Sequence, residues 1–567
     1  MRPPRSAFFI VFMLAAGCAK TPEQPSAATP AATHDAHPAT PAARTTLLGN
    51  LGSYHHAIKT SNDEAQKFFD EGLTLLYGFN HEEAFRSFER AAALDATSPM
   101  PHWGMSLALG TNYNDTATPD RLQQAYTHLS RAQQLAANGS DAERGYVDAL
   151  AKRYVATPDD GKQRNREEAY SAAMGDVSKK FPDDLDAATL YAESMMNLRP
   201  WKLYTAQGVA EPGTEQIVST LEGVLKRNPE HPGANHYLIH AVEASRTPER
   251  AEVSAKRLET LVPAAGHLVH MPAHIWMRTG EYQAAVKTNA DAALLDEKYV
   301  KQTGATGLYP TMYYGHNLQF ESAAAMFSGN LAAARAAGRK TVALVDPMAG
   351  EMAMLQPFTQ QEAFTLVRFE QWDDVLALPA PPADRALQTA LFHFVRGAAH
   401  AGKGHVDEAL KEQTAFEAAA AKVPKDAMYL TINLAPVLLD VARTDLAARI
   451  ADAQNAGAKA VAAWKAAVAA EDKVSYDEPP AWLLPTREGL AAALMRSGNA
   501  AEAEKVYRDD LTRNRKNPRS LFGLSKALEM QKKTAEAAKV KSEFEAAWSG
   551  ADVQLTDAHL VPRKTTN

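Results

Sequence analysis

The sequence has 567 residues, several times the size of a single-core domain, so it must fold as several domains or as one extended repeat. Apolar residues make up 46% and charged residues 22% of the chain, which is ordinary for a folded globular protein. The formal net charge of −7 argues against nucleic acid as the main partner, because phosphate binding needs a basic surface.

The first 18 residues, MRPPRSAFFIVFMLAAGC, have the pattern of a signal peptide: a basic start, an apolar stretch and small residues directly before Cys18. This pattern resembles a bacterial lipobox, in which the signal is cleaved and Cys18 is lipidated as the new N-terminus. The alternative is an ordinary secretory signal with an incidental cysteine. Cys18 is the only cysteine in the chain, so it has no disulfide or metal partner, which favours the lipoprotein interpretation.

Residues 19–46 are rich in Ala, Thr and Pro without apolar periodicity, which predicts a disordered tether. Ala19 follows the lipidation site, and by analogy with protein sorting in Gram-negative bacteria we expect a lipid anchor in the outer membrane, facing the periplasm. No apolar run in the interior reaches the roughly 18 to 20 residues needed to span a bilayer. We therefore expect membrane contact only through the N-terminal lipid.

From about Thr46 onward, Ala-rich amphipathic segments alternate with short Gly/Asn/Asp turns, which predicts helices throughout. GLAAALMRSGNAAEAEKVYRDDL, beginning at Gly489, aligns with GLSKALEMQKKTAEAAKVKSEFE, beginning at Gly523, at an offset of 34 residues. A 34-residue unit of two helices resembles the tetratricopeptide repeat. The sequence therefore predicts an all-α, tetratricopeptide-type solenoid of helix hairpins wound into a superhelix.

Pro- and Gly-bearing segments give approximate module edges within this solenoid. We predict an N-terminal module over residues 47–200, a central His-rich module over 201–375, a helical repeat module over 376–474, a C-terminal repeat pair over 475–550 and a tail over 551–567. One solenoid can cover all of these modules without true domain boundaries.

Histidines cluster in the central module, where six of the chain's 18 lie between residues 231 and 274. In NHYLIHAVEAS, His236, His240 and Glu243 lie at i, i+4 and i+7 and share one helix face. His-x-x-x-His is the spacing at which one helix offers two imidazoles to one metal ion. Zinc proteases place a glutamate directly after the first histidine, and Tyr237 stands there instead, so the protease interpretation fails unless Glu243 is a ligand and another residue is the base.

The second group of histidines is in HLVHMPAHIW. His267, His270 and His274 would share a face of an unbroken helix, but Pro272 lacks an N–H and its ring collides with the preceding turn. We expect the helix either to begin near Met271, with the proline in its first turn, or to kink there.

The following segment, YYGHNLQF, adds His316 and Asn317 on what reads as the next first helix of a hairpin. First helices of successive repeats lie side by side along a groove, so the histidine faces are expected to meet there. Three interpretations stay open: a transition-metal site (Zn, Cu, Fe or Ni) that Glu243 completes, a metal-free ligand or catalytic pocket, and a buried hydrogen-bonded network that fixes repeat packing.

Five further polar residues are weaker groove candidates. Asn112 and Asn114, in GTNYND, suit a helix-ending turn better than a ligand site. Asp477, Glu478 and Arg487, in SYDEPPAWLLPTRE, lie in a rigid extended entry to the next helix. The sequence has no Gly-rich phosphate loop, no Gly-x-Ser-x-Gly elbow and no cysteine outside the signal, so it does not support nucleotide, serine or thiol chemistry.

The segments ANHYLIHAVEAS, AGHLVHMPAHIWMRTGEY, YYGHN and YDEPPAWLLPTREGL together resemble large, exported bacterial tetratricopeptide-repeat proteins, over about Tyr54 to Trp548. The resemblance implies a repeat scaffold and carries over no catalytic residue. We predict a cell-envelope lipoprotein that holds a peptide, protein or small ligand in its groove. The alternative is a metal-binding protein or metal-dependent enzyme that uses the His/Glu cluster.

Overall fold

A computed structural model describes residues 46–158, 160–307 and 309–556. These residues belong to one compact unit. The predicted signal peptide, Cys18, the tether up to residue 45 and the tail beyond residue 556 lie outside the described residues.

The first part of the chain is a run of helices joined by short turns. Their bounds are α1 Asp63–Tyr77, α2 His81–Leu94, α3 Met100–Ala108, α4 Pro119–Leu135, α5 Asp141–Leu150, α6 Gln163–Lys180, α7 Leu185–Asn197, α8 Thr214–Arg227, α9 Pro232–Val242, α10 Glu252–Leu261, α11 Gly266–His270, α12 Pro272–Thr279 and α13 Tyr282–Thr303. Short 3₁₀ turns cover Ala136–Asn138 and Pro248–Ala251, and a π-helical turn covers Tyr309–Tyr313.

The second part continues in the same way. Its helices are α14 Tyr314–Ser328, α15 Leu331–Val345, α16 Gln361–Arg368, α17 Trp372–Ala377, α18 Ala386–Gly402, α19 Val406–Ala420, α20 Ala435–Ala453, α21 Ala458–Glu471, α22 Thr486–Arg496, α23 Ala500–Arg513, α24 Pro518–Met530 and α25 Thr534–Ala547. Two further 3₁₀ turns cover Asp346–Met348 and Ala353–Gln360, and a small antiparallel ribbon pairs β1 Met428–Tyr429 with β2 Asn433–Leu434.

Consecutive helices pack as hairpins, and the C-terminal pair shows why the 34-residue period exists. A Cβ added at Gly489 in α22 would lie 2.4 Å from the ring of Trp464 in α21. One repeat later, a Cβ at Gly523 in α24 would lie 2.2 Å from the ring of Tyr507 in α23. In both repeats a glycine makes room for an aromatic ring from the preceding second helix. The predicted all-α, tetratricopeptide-type helix-hairpin solenoid is confirmed.

Three apolar clusters follow one another along the chain, from Leu51 to Phe327, from Ala323 to Leu484 and from Ala448 to Val540. The first two predicted modules therefore share one apolar core, and the module edges themselves stay predictions. Within the described ranges, no helix combines the length and the apolar character that crossing a bilayer requires.

Hydrogen bonds to Asp186 in α7 hold the segment before α1 against the helices. The Asp186 carboxylate accepts hydrogen bonds from His56 Nδ1 at 2.6 Å and from the hydroxyls of Tyr54 and Tyr77, each at 2.5 Å. Burial is the largest single cause and lowers the pKa of His56, but the charge and hydrogen bond of Asp186 and the charges of Asp184 and Asp70 together raise the pKa to about 9.

The predicted interruption at Pro272 is present. Helix α11 ends at His270, and α12 begins at Pro272, which occupies its first helical position, where the missing N–H costs no hydrogen bond. Met271 between them keeps helical angles, with φ −51° and ψ −34°. A new helix therefore begins beside Met271 with the proline in its first turn and without an extended linker, which agrees with the first of the two expectations.

Repeats far apart in sequence also touch. The Tyr282 hydroxyl at the start of α13 donates to the carbonyl oxygen of Arg515 at 2.8 Å, across 233 residues of sequence. Gly280, with φ +83°, lies so close to that carbonyl that an added Cβ would stand 2.2 Å from its oxygen. Arg515 pairs with Glu249 at 2.9 Å. The turn before α24 thus packs against the helices that carry the central histidines.

Candidate metal centre

All seven predicted cluster residues come together in one place. Helix α9 supplies His236 and His240, with Glu243 directly after its last residue; α11, α12 and α14 supply His267, His270, His274 and His316. Ring centroids of neighbouring histidines are 4.8 to 5.5 Å apart. Six of the seven side chains belong to residues exposed by 2% or less, whereas His316 is half-buried and marks the accessible edge.

The first three histidines form one set. One ring nitrogen from each of His236, His240 and His267 lies within 4.8 Å of the other two. His236 Nδ1 donates to the carbonyl oxygen of Tyr77 at 2.6 Å, and His240 Nδ1 donates to Glu243 at 2.9 Å. Among the described residues, Nε2 of both rings and both nitrogens of His267 have no hydrogen-bond partner.

The other three histidines form a second set, with ring nitrogens of His270, His274 and His316 again within 4.8 Å of one another. His270 Nδ1 donates to the side-chain oxygen of Asn289 at 2.6 Å, and His274 Nδ1 donates to Glu243. The Nε2 atoms of His270 and His274 face each other at 2.8 Å. Because both Nδ1 atoms already donate, both neutral rings present lone pairs there, and the contact needs an extra proton or a cation.

Glu243 joins the two sets, since one carboxylate oxygen accepts from His240 and the other from His274. Burial alone would raise the pKa of the Glu243 carboxyl, but the facing rings of His274 and His240 and their two hydrogen bonds lower it to about 2. Glu243 is therefore a buried carboxylate at neutral pH. It orients one imidazole of each set, with both Nε2 atoms left as acceptors.

Burial also favours the neutral form of five of the six imidazoles. It lowers the pKa of His316 to about 3, with a smaller contribution from the neighbouring His274. In each of four further rings burial is the largest cause of a lowered pKa: His236, His267, His270 and His274. Metal ions bind the neutral form of imidazole, so these ligands need no deprotonation at neutral pH.

Five aromatic side chains surround the histidine cluster, and the sequence analysis did not identify them. Their ring centroids lie 4.5 to 5.7 Å from the nearest histidine rings, and they are Phe79, Tyr113, Trp201, Tyr313 and Phe320. Four of the five come from loops or irregular turns, where apolar periodicity gives no signal. They exclude water and lower the local dielectric around the ring nitrogens.

The asparagine candidates support the cluster and do not face it as ligands. Asn112 accepts from the backbone N–H of Asn114 at 2.9 Å, which is the expected helix-ending turn. Asn114 accepts from Trp201 Nε1 at 3.2 Å and so fixes the turn that carries Tyr113. A local turn with a structural role, as favoured from the sequence, explains both residues.

Asn317 belongs to a second supporting contact. Its amide donates to Asp296 at 2.6 Å, and Tyr309 donates to the same carboxyl at 3.0 Å. The Tyr309 oxygen also accepts from the backbone N–H of His267 at 3.3 Å. Burial raises the pKa of Asp296 to about 7. This chain of contacts positions the start of α11.

Two of the C-terminal candidates are buried acids, and the charge of Glu243 acts on them. Asp477 and Glu478 are buried, and Glu478 accepts a hydrogen bond from Tyr476. Burial, followed by the negative charge of Glu243, raises the pKa of Glu478. Glu243 is therefore close enough to Glu478 for its charge to act there, although 235 residues separate the two in sequence.

Arg487 does not share those contacts. Its guanidinium forms ion pairs with Asp472 at 2.9 Å and with Asp509 at 2.5 Å. It therefore holds α22 against its neighbouring repeats, and the sequence grouping of Arg487 with the two acids does not correspond to one site.

No protein-family model matches this chain, and no curated protein matches it. Solved structures that are similar to it include a human IFIT1 dimer with m7Gppp-AAAA, at 15% identity, 86% of this chain, 91% of that chain and a TM-score of 0.30. Yeast Tom70 is 11% identical over 85% of this chain and 92% of the Tom70 chain, with a TM-score of 0.25. The P58(IPK) TPR domain is 11% identical over 83% of this chain and 99% of that domain, with a TM-score of 0.20. The fold class rests on the helix hairpins of this chain itself.

Proposed function

We propose that this protein binds transition metal in its buried histidine cluster, on a tetratricopeptide-type scaffold. The observation that carries the proposal is the group of four unpartnered ring nitrogens on His236, His240 and His267. They belong to rings that share one buried space. A metal ion is the ligand that pairs with several imidazole lone pairs at once.

The energetic argument separates a metal site from a structural network. An ion can bind one nitrogen of each of the three rings; a buried polar atom left without a partner costs about 1–3 kcal/mol, so three of them cost about 3–9 kcal/mol. That sum is comparable to the whole stability of a typical domain, about 5–15 kcal/mol. A hydrogen-bonded packing network would pair these atoms, whereas metal coordination removes that cost with only small movements of the rings.

The outer contacts of the rings agree with coordination through Nε2. Tyr77, Asn289 and Glu243 accept from Nδ1 atoms, which fixes each ring's tautomer and direction. Ligating histidines typically donate their second nitrogen to a carbonyl or carboxylate in this way. When bound, the ion would supply Lewis acidity and an open coordination position. The residues present assign no reaction.

Imidazole ligands suit Zn, Cu, Fe and Ni, and among divalent ions copper binds nitrogen ligands most tightly. The test is metal analysis of purified protein after loading with copper or zinc sulfate and removal of excess metal. We expect stoichiometric metal in the wild type and a loss of metal in His240→Gln and His270→Gln with helical content unchanged. The matched control is His128→Gln, a half-buried histidine outside the cluster, which should bind as the wild type does.

Failure of the wild type to bind either metal, with a large loss of thermal stability in both cluster variants, would replace the proposal by a structural network. Two predictions from the sequence stand beside it. Anchoring to the cell envelope through Cys18 is tested by Cys18→Ser, which should move the protein out of the membrane fraction. A peptide or protein partner is the role that an extended repeat surface offers; affinity capture from envelope extracts tests it.

A further inference from the structure

We propose that the cluster is a centre for two metal ions: His236, His240 and His267 hold one ion, and His270, His274 and His316 hold the other. This inference rests on the proposed function, because it specifies how the same cluster binds metal. Its basis is that the six imidazoles separate into two groups of three with no histidine shared.

The helices explain the division. Helix α9 gives two histidines, spaced by four residues, to the first ion, and α11 contributes His267 as the third. His270 and His274 are again spaced by four, across the break at Pro272, and α14 contributes His316 as their third ligand. Each ion therefore receives a pair of ligands one helical turn apart and a single ligand from an adjoining helix.

One ion cannot collect all six rings. Ligand nitrogens bound at about 2.0–2.1 Å from one ion lie at most about 4.2 Å apart. In the described part of the chain, candidate ligand atoms meet within 4.8 Å only in groups of three, and the one group that draws on both histidine sets is His240, Glu243 and His274. Small ring movements close each group of three onto an ion, whereas joining both groups on one ion would need the helices to move.

A single ion between His240, Glu243 and His274 is the competing arrangement, since these three also meet within 4.8 Å. Glu243 already accepts from Nδ1 of both rings, so an ion there would displace both hydrogen bonds. It would also leave the unpartnered nitrogens of His236 and His267 as they are. Two ions account for one nitrogen on each of His236 and His267 and for the facing Nε2 pair of His270 and His274.

In the two-ion arrangement Glu243 is a shared outer partner. It lies between the sets, whose rings adjoin at 5.4 Å for His240 and His274 and at 5.5 Å for His267 and His270. Its negative charge offsets part of the positive charge of both ions in a buried space. Three protein ligands leave each ion an open position, so the ligand class that this centre fits is a small anion or diatomic molecule held between two ions.

The experiment uses the purified full-length protein and copper sulfate. Copper content per chain and the integrated electron paramagnetic resonance signal of Cu(II) are measured on the same samples. We expect two copper ions per wild-type chain and an integrated signal below the copper content, because neighbouring Cu(II) spins couple. His236→Gln/His267→Gln and His270→Gln/His316→Gln should each keep one copper, with a signal that accounts for all of it. His128→Gln should behave as the wild type does.

The outcomes are distinguishable. One copper per wild-type chain, lost in both double variants, would overturn the two-ion centre and leave metal binding intact. Two coppers whose signal equals the copper content would overturn the adjacency of the two sites. No copper in the wild type would overturn this inference, and binding of neither copper nor zinc would overturn the proposed function as well. If the double variants do not fold, as judged by circular dichroism, the stoichiometry and spin count of the wild type still decide the question.

Discussion

Replacing Glu243 by Gln tests the centre at the one residue that both histidine sets share. The amide keeps the size of the carboxylate but offers one acceptor and one donor group. Because His240 and His274 both donate to the carboxylate through Nδ1, one of these rings must lose its acceptor. That ring is then driven to the other tautomer, in which Nε2 carries the proton and cannot bind metal.

The magnitudes follow from these two hydrogen bonds. A hydrogen bond to a charged group contributes about 1.5–3 kcal/mol, and the removal of a buried charge offsets part of that loss. We therefore expect the metal-free variant to lose about 1–3 kcal/mol of unfolding free energy. Loss of an outer partner of a ligating histidine typically weakens metal binding by about 10- to 100-fold, which corresponds to about 1.4–2.7 kcal/mol.

Two measurements check this prediction: denaturant unfolding of the metal-free protein, and competition with a chelator for the metal dissociation constant. The exposed Glu230→Gln variant, in the turn just before α9, is the matched control and should change neither value. A loss of all bound metal would show that Glu243 is itself a ligand. Unchanged metal affinity would refute the reasoning that it orients one histidine of each set.

Three further predictions concern other parts of the scaffold. The pKa of His56 is about 9 in the folded protein and about 6.5 in the unfolded chain. Its pairing with Asp186 therefore makes its full contribution to the free energy of unfolding below pH 6.5. That stabilisation, up to about 3 kcal/mol, should vanish as pH rises from 6.5 to 9, and His56→Gln should flatten this slope in denaturant unfolding. Gly523→Ala should lower the free energy of unfolding by about 1–3 kcal/mol in the same assay, because the added methyl group meets the ring of Tyr507. The control Gly223→Ala, at a helix position in open space, should raise it by up to about 1 kcal/mol. Equal effects of the two substitutions would contradict the packing explanation of the repeat. Pro272→Ala restores an N–H and allows one continuous helix, so chelator competition should show weaker metal binding with little change in melting temperature.

The sequence predicts the scaffold because the repeat is a local property. Gly489 and Gly523 recur at the 34-residue offset since each hairpin solves the same packing problem with its own neighbour. The spacing of His236 and His240 likewise shows that the two rings share a face, since that requires only helical geometry. Pro272 gave a correct boundary for the same reason: its effect on the backbone is intrinsic.

Local sequence patterns could not predict which other residues surround and orient the histidines. Tyr77 and Asn289 fix two of the imidazoles, but they lie on other helices, and nothing in their own segments indicates this role. Tyr113 and Trp201 reach the cluster from loops. The division of the six histidines into two sets depends on how α9, α11, α12 and α14 pack, which periodicity within each helix does not determine.

The contact between Gly280 and Arg515 has a consequence for the order of events during biosynthesis. In an open array of repeats each hairpin depends only on its neighbours, and the array can form from one end to the other. Here the helix that carries His274 ends at a turn against which a segment more than 230 residues downstream is packed. We therefore expect the hairpins on either side of Arg515 to support the histidine region, so that a chain truncated before them holds the six histidines less firmly although all six are present. Under the proposed function, metal binding should then be weaker in a chain truncated before Arg515 than in one that includes the hairpins on either side of it.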